Sequence, residues 1–391
     1  GIHSRLLDFQ KALNICIDHA IDTHVDFFLF SGDAYKTANP SPTQQKLLLH
    51  CFLRLYKANI PVIIVVGNHD HPLSFGKATS LDVFGQLPFD GFHVMAKPTT
   101  LVLPTKNGPV QIVGIPWPTR NTISINQKFI HQSAFEITDY ISKAVGTIIK
   151  NAAQKLDPTL PAVLAGHLTV SNGIFSGSEK RAIYGTDPVL MPSQLAIEPF
   201  DYVGLGHLHR YQNVNPGGYP AVVYSGSIER IDFGERKEEK GFCVVTIQGK
   251  GATQHEFIQV PTRPFIQIEL QIDPALDHTQ QVLDELAKHT LDEAVVKIMY
   301  HVPPGKKDLV NVQAIQKTCA HVQHLVGIIP LRKPLVRDRR ATLKVDMDLS
   351  SLLGTYFDSK PELQAKKEAL IDKTLQLLHE QEQRELEEAE R

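Results

Sequence analysis

The feature that most constrains this chain is an apolar run that stops at a glycine and is followed by polar side chains. Residues 62–66 read V-I-I-V-V, and after Gly67 residues 68–71 read N-H-D-H. Five consecutive apolar, mostly β-branched residues predict a strand that is buried on both faces. Open α/β sheets bind their ligands beyond the carboxyl ends of such strands. The stretch therefore predicts a ligand site, although a lone polar turn that caps the next element would be an ordinary alternative.

Three other predicted strands end in the same way, with a glycine followed by a potential metal ligand. The pairs are Gly32-Asp33, Gly166-His167 and Gly206-His207, the last with a second histidine two positions later. Any one of these histidines alone would more often be structural, but the joint pattern at four strand ends is hard to obtain by chance. Carboxylate, amide oxygen and neutral imidazole together favour Mn²⁺, Fe²⁺ or Zn²⁺ over Ca²⁺ or Mg²⁺. The predicted metal ligands are Asp33, Asn68, His167, His207 and His209.

The residue types in this pattern also predict which residues bind metal, which take part in catalysis and which position the others. Because every other ligand is neutral, Asp33 is expected to bridge two ions about 3.5–4 Å apart, which would clamp a phosphate and ionise the attacking water. His69 is expected to be the catalytic residue beside the metals, a general acid that protonates the leaving oxygen or stabilises charge on the phosphorane. Asp70 is expected to orient His69 or a loop from behind the ligands. On an extended backbone His207 and His209, two apart, would point to the same side.

Strand and helix patterns alternate through the first part of the chain, which predicts an α/β layered fold. A plausible hinge, P-T-R-P, lies at residues 261–264, and a small α+β unit without strand-end ligands follows it. A locally basic stretch covers residues 331–344, where contact with a DNA backbone and a solvated loop are equal alternatives. Residues 361–391 predict a net acidic helix with a leucine stripe, which fits a partner coiled coil better than DNA. The predicted division is therefore 1–260, 261–345 and 346–391.

Composition narrows the possible partners and the compartment. The 391 residues carry a net charge of -2, so DNA binding would need local basic patches or metal-bridged phosphates. No run of eighteen apolar residues is present, and the first residues do not resemble a signal peptide, so no membrane partner is expected. The four cysteines are far apart and form no C-x-x-C pair, which favours free thiols in a reducing compartment. We therefore expect a cytoplasmic protein.

The four strand-end motifs resemble those of the calcineurin-like metallophosphoesterases. Two further stretches are similar to the SbcD-type nuclease branch of that family: S-G-D at 31–33 followed by A-N-P-S-P at 38–42, and Y-S-G-S-I-E-R at 224–230 followed by F-G-E and K-G-F. The resemblance covers residues 4–260 well and the rest more weakly. It implies a β-sandwich flanked by helices, a small α+β capping domain that binds DNA, and a C-terminal helix.

The resemblance also implies an activity. It implies a DNA exonuclease and endonuclease subunit that uses two Mn²⁺, cleaves DNA ends and hairpins, and forms a homodimer. An SbcC-type ATPase would dock on its C-terminal helix. By motif, Asp33 would bridge the two metals, and Asn68, His167 and His207 would complete one site. His209 would serve the other metal, and His69 would be the catalytic histidine.

Two departures from the family pattern affect these expectations. The family opens with a strand that ends in Asp-x-His, which supplies two ligands to the metal that His209 also holds, and the sequence begins beyond that point. We expect a missing first strand rather than a protein impaired at one metal. Lys36 stands where close relatives often place a histidine near the DNA. The alternatives are a metallophosphoesterase for nucleotides or phosphoproteins, and a non-catalytic scaffold for an ATPase.

Overall fold

The computed structural model describes residues 4–71, 78–88, 90–119, 134–177, 187–332, 349–358 and 361–377. The chain forms two compact units. The first consists of Gly1–Gln267, Thr290–Lys297 and Cys319–Gly327, and the second of Ile268–His289, Ile298–Thr318 and Ile328–Arg391. The division into domains 1–260, 261–345 and 346–391 stays a prediction.

The first unit contains two separate sheets. Three parallel strands form the smaller sheet in chain order: β1 (Phe28–Phe30), β2 (Val62–Val65) and β3 (Phe92–Met95). The larger sheet and a short parallel pair use the next eight strands: β4 (Thr99–Thr105), β5 (Gly108–Ile115), β6 (Ala162–His167), β7 (Thr169–Val170), β8 (Val189–Leu190), β9 (Tyr202–Gly206), β10 (Gln212–Asn213) and β11 (Ala221–Tyr224). In the larger sheet the order is β10-β11-β9-β6-β5-β4, with β7 and β8 paired apart from it. Its four central strands are parallel and its two edge strands antiparallel.

Helices cover the outer face of each sheet in the first unit. Helices α1 (Ser4–Asp22) and α2 (Pro42–Lys57) share one core with the smaller sheet, in which Phe52 and Ile64 are fully buried. A short helix, α3 (Asp82–Gly85), contributes Phe84 to that core. On the larger sheet, α4 (Ala134–Ala153) and α5 (Pro192–Leu195) form a second core with β6 and β9.

A third core lies between the two sheets. Ile63 and Val65 of β2 pack there with Val163 of β6 and Val223 of β11, while Ile64 faces the helices. This alternation follows from the twofold period of a strand, and it explains why β2 is apolar on both faces. The predicted α/β fold, a β-sandwich flanked by helices, is confirmed.

The start of α2 explains part of the A-N-P-S-P stretch. Ser41 is the N-cap, and its Oγ accepts the backbone N–H of Gln44 at 3.4 Å. The Gln44 Oε1 accepts the backbone N–H of Ser41 at 2.8 Å, and Pro42 fills the first helical position. This capping box satisfies otherwise unpaired amides and fixes where the helix begins, a few residues after the strand end that carries Asp33.

The remaining elements follow the larger sheet. Strands β12 (Gly241–Gly249) and β13 (Ala252–Gln259) form an antiparallel pair. Three more strands pair in the order β14-β15-β16: β14 (Phe265–Gln271), β15 (Val295–Val302) and β16 (His324–Arg332), with α6 (His278–Leu286) and α7 (Val312–Thr318) between them in the chain. The sequence did not predict β16, whereas the next helix, α8 (Leu349–Asp358), lies within residues 346–391, the predicted C-terminal helical segment.

The predicted C-terminal helix is described only in part. Residues 361–366 form a 3₁₀ turn and residues 367–377 are helical. Residues 378–391, and residues 333–344 of the basic stretch, lie outside the described residues. Within the part of the chain that the structure describes, none of the helices has both the length and the apolar character needed to cross a bilayer.

Candidate metal centre

Four strand ends from the two sheets bring their polar side chains to one point. Asn68 Oδ1, after β2, lies 2.9 Å from His167 Nε2 at the end of β6 and 3.0 Å from His207 Nδ1 after β9. Asp33 Oδ2, after β1, lies 3.2 Å from His167 Nε2. Ligand atoms of Asp33, His167 and His207 all lie within 4.8 Å of one another. One carboxylate, one amide oxygen and two imidazoles at this spacing fit a divalent transition-metal ion.

Asp33 is held by a tight turn between the two sheets. Its φ is 56°, and that of Gly32 is 92°, both in the left-handed region that glycine and, less often, aspartate adopt. The Asp33 Oδ1 accepts the backbone N–H of His69 at 2.8 Å. Burial alone would raise the pKa of Asp33, but the His167 charge and hydrogen bond and the His69 amide lower it to about 2. The carboxylate is therefore ionised and ready to bind a cation.

His167 is fully buried and its ring is fixed by the backbone. Its Nδ1 donates to the carbonyl oxygen of Ser31 at 2.6 Å, which directs Nε2 towards Asn68 and Asp33. Such a contact fixes the tautomer of a metal-ligating histidine. Burial lowers the pKa of His167, but the Asp33 carboxylate more than offsets this and the pKa is raised overall. A cation at this point would take the place of the imidazole proton.

The backbone at His207 differs from the expectation. The predicted extended conformation is wrong, because the φ of His207 is 100° and β9 ends at Gly206. A Cβ on Gly206 would overlap the carbonyl oxygen of Ser31, so the chain passes close to β1 and turns. The His207 ring lies 4.8 Å from the ring of Trp117, and its Nε2 lies 3.6 Å from Asp187 Oδ2. Burial lowers the pKa of His207 despite Asp187, which favours the neutral form that metals bind.

His209 is not part of the group formed by Asp33, His167 and His207. Its Nδ1 contacts Oε1 of the buried Glu235 at 2.8 Å. Burial alone would raise the pKa of Glu235, but the hydrogen bond from His209 and the charge of Lys240 lower it overall. The role of His209 as a ligand for a second metal stays a prediction.

Asp70 connects the two turns of the smaller sheet that carry Asp33 and Asn68. Its carboxylate is fully buried and accepts three backbone N–H groups: those of Asp33 at 2.8 Å, Ala34 at 3.0 Å and Gly67 at 3.0 Å. Burial and the nearby Asp33 carboxylate raise the pKa of Asp70 to about 6. Asp70 was expected to orient either His69 or a loop, and these hydrogen bonds are made to the backbone of the loops. The His69 side chain itself is exposed.

Sequence reasoning gave no role to three residues that contact the predicted ligands. Trp117 and Asp187 contact His207, and Glu235 contacts His209. Trp117 lies two residues after the end of β5, so its position just beyond a buried strand was the available signal. Glu235 lies in the F-G-E stretch, which resembles the SbcD-type branch but by itself indicates no role for the glutamate. Asp187 has no comparable signal in the sequence.

Comparison with known proteins gives a consistent result. The family model described as calcineurin-like phosphoesterase matches residues 2–211, which include all the predicted metal ligands. The chain is similar to the SbcD component of the nuclease SbcCD from Staphylococcus saprophyticus, with 29% identity over 280 residues, or 71% of this chain and 69% of that protein. It is also similar to the SbcD component of the nuclease SbcCD from Staphylococcus epidermidis, with 26% identity over 268 residues, or 68% of this chain and 67% of that protein.

Proposed function

Because this chain belongs to the calcineurin-like phosphoesterase family, we propose that it is the nuclease subunit of a DNA-processing complex. It would hydrolyse phosphodiester bonds at DNA ends and hairpins during the processing of double-strand breaks. The observation that carries the proposal is that Asn68 Oδ1 lies within 3.0 Å of a ring nitrogen of both His167 and His207, together with the names of the two relatives.

The donor set of Asp33, Asn68, His167 and His207 suits a divalent transition-metal ion, and the proposal adds a second ion beside it, with Mn²⁺ as the metal. Asp33, Asn68, His167 and His207 would hold one ion, and His209 would help to hold the other, with Asp33 shared between them. Such ions, when bound, polarise the phosphate and lower the pKa of the attacking water. This chain's contribution is the ionised carboxylate of Asp33, whose backbone N–H donates to Asp70, and the imidazole of His167, which the carbonyl of Ser31 holds in place.

His69 is the proposed general acid. Its backbone N–H donates to Asp33 Oδ1, so the residue is fixed beside a metal ligand, while its imidazole is exposed to substrate. From there the ring would give a proton to the leaving oxygen of the cleaved phosphodiester. General acid catalysis of this kind typically contributes about 10²–10⁴-fold to the rate.

The variant His69→Ala tests this function, with His50→Ala on the exposed side of α2 as a matched control. We expect His69→Ala to lower Mn²⁺-dependent cleavage of linear duplex DNA by about 10²–10⁴-fold and to keep Mn²⁺ binding. The control should cleave at the wild-type rate. Loss of metal binding in His69→Ala would show that His69 is a ligand instead. Wild-type protein that hydrolyses a nucleotide or a phosphopeptide but not DNA would favour the phosphatase alternative.

The partner assignments extend the proposal. An SbcC-type ATPase would bind through residues 361–391, and two copies of the chain would form a homodimer in the cytoplasm. Support comes from the described part of the segment, where residues 367–377 are helical and the apolar side chain of Leu377 is 53% exposed. An apolar stripe on an otherwise charged helix is typical of a helix that packs on a partner.

A further inference from the structure

A buried ion pair contacts His209 at two points. Glu235 is 0% exposed and Lys240 1% exposed, and Lys240 Nζ lies 2.8 Å from Glu235 Oε2. The other carboxylate oxygen, Oε1, lies 2.8 Å from His209 Nδ1. Lys240 Nζ also donates to the backbone carbonyl of His209 at 2.9 Å. The pair therefore holds both the ring and the backbone of one residue.

Stability alone is a poor explanation for this pair. Glutamate and lysine are almost never fully buried unless they are paired, and a well-packed apolar pair of the same volume often stabilises a fold equally well or better. The F-G-E and K-G-F stretches that contain the two residues have no part in the proposed chemistry so far. We propose that Glu235 and Lys240 are positioning residues that fix the tautomer and orientation of His209 as a metal ligand. This inference rests on the proposed metal-dependent function.

The hydrogen bonds determine which nitrogen of His209 carries the proton. Glu235 Oε1 is a carboxylate oxygen and can only accept, so His209 carries its proton on Nδ1 and its lone pair on Nε2. The carboxylate cannot rotate freely, because Oε2 accepts from both Lys240 Nζ and the backbone N–H of Ile231 at 3.0 Å. A carboxylate behind a ligating imidazole also raises the basicity of the ligating nitrogen.

His167 provides an internal comparison. Its Nδ1 donates to a neutral backbone carbonyl, that of Ser31, instead of a carboxylate. Both histidines therefore use Nδ1 as the anchored nitrogen and Nε2 as the ligating one. Of the two, only His209 has a carboxylate as the partner of its Nδ1, whereas the Asp33 carboxylate faces Nε2 of His167.

The variant Glu235→Gln separates these roles because it keeps the shape and removes the charge. The position of Oε2 faces two donors, so the amide oxygen should take that place and the amide NH₂ should face His209 Nδ1. His209 must then accept at Nδ1 and carry its proton on Nε2. Lys240 keeps its contacts with Glu238 at 3.0 Å and with the His209 carbonyl.

The matched control is Glu229→Gln. Glu229 is also buried, at 2% exposure, and its Oε1 accepts the backbone N–H of Arg230 at 2.7 Å. Both variants are compared with the wild type by imidazole nitrogen chemical shifts in protein labelled with ¹⁵N-histidine. The His209 signals are assigned as those missing from His209→Gln.

We expect a proton on Nδ1 in the wild type and in Glu229→Gln, and on Nε2 in Glu235→Gln. A wild-type His209 protonated on Nε2, or a Glu235→Gln variant with the wild-type tautomer, would overturn the proposal. If Glu235→Gln does not fold, the double variant Glu235→Gln with Lys240→Met removes both charges, and the loss of a single Nδ1–H tautomer is expected there too.

A titration with Mn²⁺ alone separates this proposal from the proposed function. Loss of an orienting contact of this kind typically weakens metal binding by about 10–100-fold. Glu235→Gln should therefore lower the Mn²⁺ affinity of the site that contains His209 by that factor. A wild-type protein that binds no Mn²⁺ would contradict the metal-dependent function, while the tautomer measurement would still decide the positioning role. Normal Mn²⁺ binding with an unchanged tautomer in Glu235→Gln would end the positioning role only.

Discussion

Replacing Gly67 by alanine tests how closely the turns carrying the metal ligands pack. A Cβ at Gly67 would overlap the backbone nitrogen of Asp33 and lie 2.9 Å from its Cγ. Ordinary van der Waals contacts begin at about 3.5 Å, and the overlap with the Asp33 nitrogen is deeper than that with Cγ, so one of the turns must move by about 1 Å. Both turns are tied to the Asp70 carboxylate, which limits this movement. We expect a loss of about 1–3 kcal/mol in the free energy of unfolding, as for other overpacked sites.

The same movement should weaken metal binding. Metal–ligand distances tolerate about 0.2 Å, so displacing the Asp33 carboxylate should lower the Mn²⁺ affinity by about 10–100-fold. Urea unfolding without metal measures the first effect, and calorimetric titration with Mn²⁺ measures the second. Gly249→Ala is the control, because a Cβ there meets nothing within 4 Å. A Gly67→Ala protein with wild-type stability and Mn²⁺ affinity would refute the packing described for the two turns.

Three further predictions concern other parts of the chain. Trp117 is the only tryptophan in the sequence, and its ring centroid lies 4.8 Å from that of His207. The tryptophan fluorescence should therefore change saturably when Mn²⁺ is added. An unchanged emission would count against metal binding at His207. Asp201 is fully buried, and although burial raises its pKa, the hydrogen bond from Lys250 and others lower it overall. The ionised carboxylate of Asp201 therefore stabilises the fold above its unfolded pKa, and this stabilisation is lost as the pH falls through the folded pKa. Asp201→Asn should lower the free energy of unfolding, measured with urea, by about 1.5–3 kcal/mol at pH 7 and by less at pH 3. An equal loss at both values would contradict that assignment. Deleting residues 361–391 should abolish co-purification with an SbcC-type ATPase and leave the thermal unfolding of the core unchanged; an unchanged complex would exclude that docking site.

The sequence predicted those strands and helix starts that depend only on neighbouring residues, such as a strand whose two faces are both buried. Val62–Val65 is apolar throughout because both of its faces are buried, and that pattern is visible without any knowledge of partners. The ligands after each such strand were predictable for the same reason, since a glycine and a polar side chain interrupt an apolar run. The start of α2 was predictable within one residue because Ser41 and Pro42 act locally.

Long-range contacts were not predictable in this way. Nothing in the sequence shows that Asp33 and Asn68 follow strands of one sheet whereas His167 and His207 follow strands of the other. The positive φ of His207 and the close approach of Gly206 to the carbonyl of Ser31, which is distant in the chain, are likewise absent from the local sequence pattern.

Buried charge was equally hidden from sequence reasoning. Glu235 and Lys240 lie in a run of charged residues, E-R-K-E-E-K at 235–240, which is typical of a solvated surface. Their burial follows from mutual pairing and from the contacts with His209. A charge pattern alone cannot show such pairing, because the partner groups are brought together by the fold.

The most direct test of the metal centre is anomalous diffraction at the manganese edge from crystals grown with Mn²⁺. We predict a peak bounded by Asp33 Oδ2, Asn68 Oδ1, His167 Nε2 and His207 Nδ1, at the junction of the two sheets. Crystals that contain Mn²⁺ but show no peak within reach of these four atoms would contradict the account.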